Sequence, residues 1–172
     1  MRTSAIQKRL PFLLIVLVCF AFCIDVSAHG EVEDGDLCVI NIDQYRAHFK
    51  IYLPREYRHQ QFCEGLPAPG ESIFVMEYLD ADLERLAIDF RIIRNETGAG
   101  LLADREDLKA ISDIESVTEY YKAPQKSAGV YAVLHKFETP GAFIGIVTAL
   151  SIGGETTHVA MFPFDVGRTG GR

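Results

Sequence analysis

Apolar and polar residues alternate with a period of two from Ala47 to Leu53, where Ala47, Phe49, Ile51 and Leu53 interleave with His48, Lys50 and Tyr52. The same period returns from Leu86 to Ile93, with Leu86, Ile88, Phe90 and Ile92 on one side and Asp89 and Arg91 on the other. A period of two sends successive side chains to opposite faces of a strand, one toward a core and one toward water. Val130 to Phe137, Ala142 to Ile152 and Thr156 to Val166 are rich in β-branched and aromatic residues and read as three more strands. Leu37 to Asp43 and Ser72 to Leu79 add two, and Val117 to Tyr121 an edge strand ended by Pro124.

Turn chemistry separates these runs. Asp43-Gln44-Tyr45-Arg46 is short enough to connect a hairpin, Asp80-Ala81-Asp82 is a turn, and Asn95 to Gly100 breaks the pattern. Pro140-Gly141 and Gly153-Gly154 stand at two further hairpin turns. Pro54 to Gly70 reads as one long polar loop. Pro163 cannot donate to a ladder, so it confines the last strand to an edge or a bulge. One helix is expected, with Asp104 as its cap, Asp107 at the third helical position, and Leu108, Ile111 and Ile114 as a stripe laid on the sheet. About seven to nine short strands with one inserted helix predict an all-β sandwich.

Ahead of this domain stands a leader. Arg2, Lys8 and Arg9 precede an apolar run from Leu10 to Ile24, and Val26-Ser27-Ala28 supplies the small residues of a cleavage site. The run is shorter than the roughly 20 residues that span a bilayer. Residues 1–28 therefore read as a signal peptide, 29–167 as a single domain and 168–172 as a flexible tail. The expected location is periplasmic or secreted, the alternative being a protein anchored by an uncleaved leader. Removing 28 of the 172 residues leaves 144, enough for one cored domain. The leader takes three of 17 basic and one of 24 acidic side chains, so 14 and 23 remain, a net charge of −9. Such a chain repels nucleic acid and anionic lipid.

Of four cysteines, Cys19 and Cys23 leave with the leader. Val18 and Phe22 precede them where a lipoprotein signal needs a small residue, which argues against a lipid anchor. Cys38 and Cys63 remain, and in an exported protein the default is a disulfide. The alternative is a pair of thiolate metal ligands, although the spacing matches no CxxC site.

Gly129, Tyr131 and Phe137, followed by Pro140-Gly141, Phe143 and Val147, form a loose G-x-Y…F…P-G-x-[FY]-x-x-x-V pattern ahead of Ala160 to Val166. This resembles the closing hairpin of small exported immunoglobulin-like or cupredoxin-like sandwiches of the bacterial periplasm. The resemblance covers the final third and implies an immunoglobulin-like β-sandwich. Cleavage after Ala28 would make His29 the first residue. His29-Gly30-Glu31 is similar to the start of CopC-type copper carriers and of the soluble subunit of particulate methane monooxygenase. That likeness implies a copper site built on the amine and ring of His29. Its partners would come from His48, His135 and His158. His48 lies on the wet face of its strand, His135 shares a face with Tyr131, Val133 and Phe137, and His158 opens the last strand. His59 falls in the polar loop. No two of them have HxH or HxxxH spacing, so five ordinary histidines is the competing reading. Met76 and Met161 lie among apolar neighbours and read as core packing, with Cu(I) ligation as the alternative. Both remaining cysteines lie far upstream of the last hairpin, which disfavours a blue-copper centre.

No GxSxG, HExxH, Walker or GxGxxG motif occurs. Glu77, Asp80, Asp82 and Glu84 resemble a solvated rim around a turn more than a glycosidase pair. Asn95-Glu96-Thr97 has the glycosylation pattern, meaningful only in a eukaryotic secretory route. The expectation is thus an exported, non-catalytic accessory or binding protein, in its sharper form one that carries copper to a periplasmic or membrane partner. The alternative is an interaction module without metal, docking through a sheet edge and through Tyr45, Tyr52, Tyr57, Tyr120 and Tyr121.

Overall fold

The alternating segments form two facing sheets whose long strands are all antiparallel. A computed structural model describes residues 38–151 and 153–167; the signal peptide, His29 and the 168–172 tail lie outside them. The first sheet orders β1 (Val39–Ile42), β2 (Tyr45–Tyr52), β5 (Gly70–Tyr78) and β8 (Val130–Phe137), with β3 (Gln61–Phe62) on the far end of β2. The second runs β4 (Gly65–Leu66), β10 (Thr157–Val166), β9 (Gly141–Leu150), β6 (Ala87–Arg94) and β7 (Thr118–Gln125). The fold is an all-β sandwich with, among the described residues, one short α-helix, α1 (Arg105–Lys109).

The core lies between the inner faces. Phe49, Ile51, Phe74, Met76, Val133 and Phe137 from the first sheet meet Ile88, Phe90, Ile92, Val147, Phe164 and Val166 from the second. Phe74 is the hub: its ring centroid lies 5.9 Å from Phe49, 5.3 Å from Phe90, 6.2 Å from Phe137 and 5.9 Å from Phe164. The second sheet also buries part of its outer face. Ile93, Ile144 and Ile146 are covered by Ala103 and Val117, with Leu108, Ile111 and Ile114 packed against them. The expected apolar residues cover the sheet, but only Leu108 does so from the helix; Ile111 and Ile114 lie beyond its end at Lys109. Asp104 and Asp107 form its capping box, each carboxylate accepting from the other's backbone N–H.

Gly145 is placed by a ring. It faces Phe162 across the β9–β10 ladder, and Phe162 stacks on Phe90 at 11° and lies 4.1 Å from Phe49. A Cβ on Gly145 would fall inside the Phe162 ring. Gly145→Ala is therefore expected to cost about 2 kcal/mol by overpacking, read as a shift in urea midpoint. Phe162→Leu in the same chain should recover part of that loss. If the two substitutions simply add, the ring does not account for the glycine.

Five expectations are corrected. The long loop contains β3 and β4, and β4 pairs in parallel with β10 through Asp165↔Gly65 and Val166↔Leu66; two-residue strands leave no periodic signal. Pro140-Gly141 does not close a hairpin. β8 belongs to the first sheet and β9 to the second, so the connection crosses the sandwich, and the closing hairpin is β9–β10. The turn after Leu79 is a 3-10 helix, Ala81–Arg85, that buries Leu83 as it too crosses between sheets. β7 continues through Pro124 to Gln125, because on an edge the missing N–H faces outward. The described residues form ten strands, two of them of two residues each, against an expected seven to nine.

Candidate functional site: a sulfur-lined groove at the open edge of the sandwich

β1 is an edge of the first sheet, and on its outer side β10 is paired only at Asp165 and Val166. Between these strands lies a groove of about 550 Å³. Cys38 and Cys63 form a disulfide with Cα atoms 5.2 Å apart, as expected. It joins the residue before β1 to the link between β3 and β4. Both cysteines line the groove, together with Met161, Pro163, Leu101 and Leu102. Leu101 and Leu102, in the 3-10 turn Gly100–Leu102, are 49% and 88% exposed and form its rim.

Both methionines pack as expected: Met76 lies in the main core, and Met161 is half-buried against the second cluster. Met161 also lies on the groove wall, a place the sequence reading did not assign. Its parity carried the signal. Ala160, Phe162 and Phe164 point into the core, so position 161 points the other way. The groove is thus lined by three sulfur-bearing residues, Cys38, Cys63 and Met161.

One carboxylate clasps the end of this region. Asp43, in the β1–β2 turn at φ 53°, accepts from Arg105 Nη2 at 2.7 Å and from the Val159 backbone N–H at 3.3 Å. The Arg105 hydrogen bond, with the Val159 N–H and the nearby cations assisting, outweighs burial and holds the Asp43 carboxyl below its usual range.

The structure does not bring the candidate histidines together. His48 is on the outer face of the first sheet, its Nδ1 3.9 Å from a Glu77 oxygen that also pairs with Lys50 at 2.8 Å. His135 is on the opposite, inner face, its ring 4.6 Å from Phe137 and 5.2 Å from Tyr120. His158 sits against Tyr45, with Nδ1 3.4 Å from Asp43. His59 is exposed in its loop. No three His, Cys, Asp or Glu side chains among the described residues form a group able to hold a metal ion. The carboxylates around the crossing turn are occupied in the same way: Asp80 accepts from the Arg46 N–H at 2.6 Å, and Asp82 pairs with Arg85 at 3.2 Å.

His135 carries a pH prediction. Its Nε2 is buried without a hydrogen-bond partner. Burial pushes the imidazole below its ordinary value of 6.5, with Glu119 opposing in part. The folded state therefore prefers neutral His135, while the unfolded chain takes up a proton near 6.5. Its contribution is complete above that value and is lost as pH falls through 6.5 toward the lower folded pKa. In urea unfolding at several pH values, His135→Phe should flatten this part of the profile. Wild type and variant losing stability in parallel from pH 7.5 to 5.5 would exclude His135 as the cause.

No protein-family model matches the chain, and no curated protein matches it. Among solved structures it is similar to the PmoD soluble domain from Methylocystis sp. ATCC 49242 (Rockwell). The two are 25% identical with a TM-score of 0.62, and the similarity covers 77% of this chain and 100% of that one. Among the described residues no helix is long and apolar enough to cross a membrane.

Proposed function

We propose that this chain is an exported, non-catalytic accessory domain that binds copper in the sulfur-lined groove and passes it to a membrane or periplasmic partner. The observation that carries the reading is the convergence of Cys38, Cys63 and Met161 on one groove. Thiolate and thioether are the soft donors that select Cu(I) over harder cations. A disulfide offers no thiolate, so the site forms after a dithiol reductant converts Cys38–Cys63 to two thiols, whose protons Cu(I) then displaces. Likeness to a protein described as a soluble domain supports a role outside the bilayer. The amino-terminal His29 belongs to the same proposal as a separate Cu(II) chelate of amine and imidazole, on which the groove does not depend.

The test is a Cu(I) titration of the reduced protein against a chromophoric chelator. Wild type should hold the metal, Cys38→Ser and Cys63→Ser should abolish retention, and Met161→Leu should weaken it by about tenfold, a step of 1.4 kcal/mol. A reduced wild type that yields all its copper to the chelator defeats the reading. A second reading, docking without metal, is favoured by the exposure of Leu101 and Leu102 on the rim. It predicts that Leu102→Ser loses a co-purifying partner while the copper titration stays that of wild type.

A further inference from the structure

We propose that Arg105 is the positioning residue of the groove: held by the Asp43 carboxylate, it pins the turn bearing Leu101 and Leu102 beside β10 and so sets how open the groove stands. The proposal rests on the groove being the binding site, and it identifies what controls access to the sulfur atoms.

The geometry is that of a latch. Arg105 begins α1 three positions after Leu102. Its Nη2 donates to Asp43 Oδ1 at 2.7 Å and also to the Val159 carbonyl of β10. The second Asp43 oxygen accepts from the Val159 N–H at 3.3 Å and lies 3.4 Å from His158 Nδ1. One ion pair therefore gathers the three parts that bound the groove: the β1–β2 hairpin, β10, and the segment that carries the rim. Besides it, the rim turn packs against β10, Ala99 packs on the second cluster, and the remaining polar attachments are local. Leu102 N–H donates to Ala99 at 3.1 Å, Ala103 N–H to Gly100 at 3.3 Å, and Asn95 Nδ2 to Gly100 at 2.8 Å. The rim turn is preceded by Gly98 and begins at Gly100, with φ of +80° and +60°, and a Cβ at either would meet nothing within 4 Å. Beyond the turn, Ala103 is buried in the second cluster. The tip between is short, exposed and held from outside by Arg105.

An ion pair half open to solvent contributes little to global stability. Its effect belongs at the groove, where it biases a local opening rather than unfolding. The salt dependence of such a pair distinguishes a latch from a packing role, because charge screening weakens the former and leaves the latter in place.

The experiment uses the purified protein with its disulfide intact. Hydrogen exchange at the Leu101, Leu102 and Ala103 amides and the rate of Cys38–Cys63 reduction by dithiothreitol are compared for wild type, Arg105→Ala and Arg105→Lys. Arg105→Ala should raise both rates by about fivefold, the upper range for an exposed pair, with core amides at Phe74 and Phe90 unchanged. Arg105→Lys should restore most of the wild-type rates. High salt should accelerate both in wild type and neither in Arg105→Ala. Unchanged rates in Arg105→Ala, or acceleration spread equally through the core, would overturn the latch. No arm uses copper, so a failed Cu(I) titration leaves this result standing, and a failed latch leaves the copper reading to its own test.

Discussion

Phe74→Ala is expected to cost about 4 kcal/mol, the middle of the range for truncating a fully buried aromatic. Domains of this size are commonly stable by about 5–15 kcal/mol, so about a quarter to four-fifths of the margin would go. Phe74 is 2% exposed, on the central strand β5, and meets Phe49, Phe90, Phe137 and Phe164 from both sheets. Those rings belong to different strands and cannot all move inward, so the void stays open and the cavity penalty adds to the lost transfer energy. The control is Leu134→Ala, on the outer face of the edge strand β8 and 56% exposed, expected to cost under about 1 kcal/mol. Urea midpoints of the two variants decide the matter. If Leu134→Ala falls as far as Phe74→Ala, the aromatic hub is not where the stability lies.

The contrast between those two positions was legible from period alone, because a half-wet strand declares its buried side. β2 shows this in Ala47, Phe49 and Ile51, and the helix cap shows it in Asp104 and Asp107, whose chemistry is local. β9 was harder to read: Ile144, Phe143, Ile146 and Val147 are all buried, since both faces of that strand are covered, and a continuous apolar run fixes neither face. What pairs over long separations left no mark. Gly65 and Leu66 join β10 about a hundred residues later, and nothing near either segment announces it. The groove belongs to the same class, since Cys38, Cys63 and Met161 line one groove only because β1 is an edge of one sheet and β10, in the other, is covered by β4 at its end alone. The pairing of the cysteines followed from export and number. That a methionine would share their groove required the topology. The histidines were read one at a time with correct parity for His48 and His135, and opposite faces of one sheet cannot furnish one metal site.

Removing the Cys38–Cys63 crosslink, by reduction or by Cys38→Ser with Cys63→Ser, should lower stability by about 3.5 kcal/mol, the chain-entropy value for a loop of 25 residues. The loss should fall unevenly. β3 and β4, on either side of Cys63, are paired through two residues each, and Leu66 is buried in the core, so the exposed residues 55–61 keep the fewest other constraints and their amides should exchange fastest. Copper then separates a structural disulfide from a ligand pair held in reserve. A ligand that binds only the folded state stabilises it by about 2.7 kcal/mol at a hundredfold excess over its dissociation constant. Cu(I) spanning both thiolates and Met161 should therefore return most of the lost stability to the reduced wild type and none to the double serine variant. Thermal unfolding with and without Cu(I) reads this directly. Equal midpoints for reduced wild type with and without metal would mean that the two sulfurs serve only to tie β1 to the β3–β4 link. Recovery confined to the wild type would mean that one pair of residues closes the same loop in two ways, by a covalent bond when oxidised and by a metal when reduced.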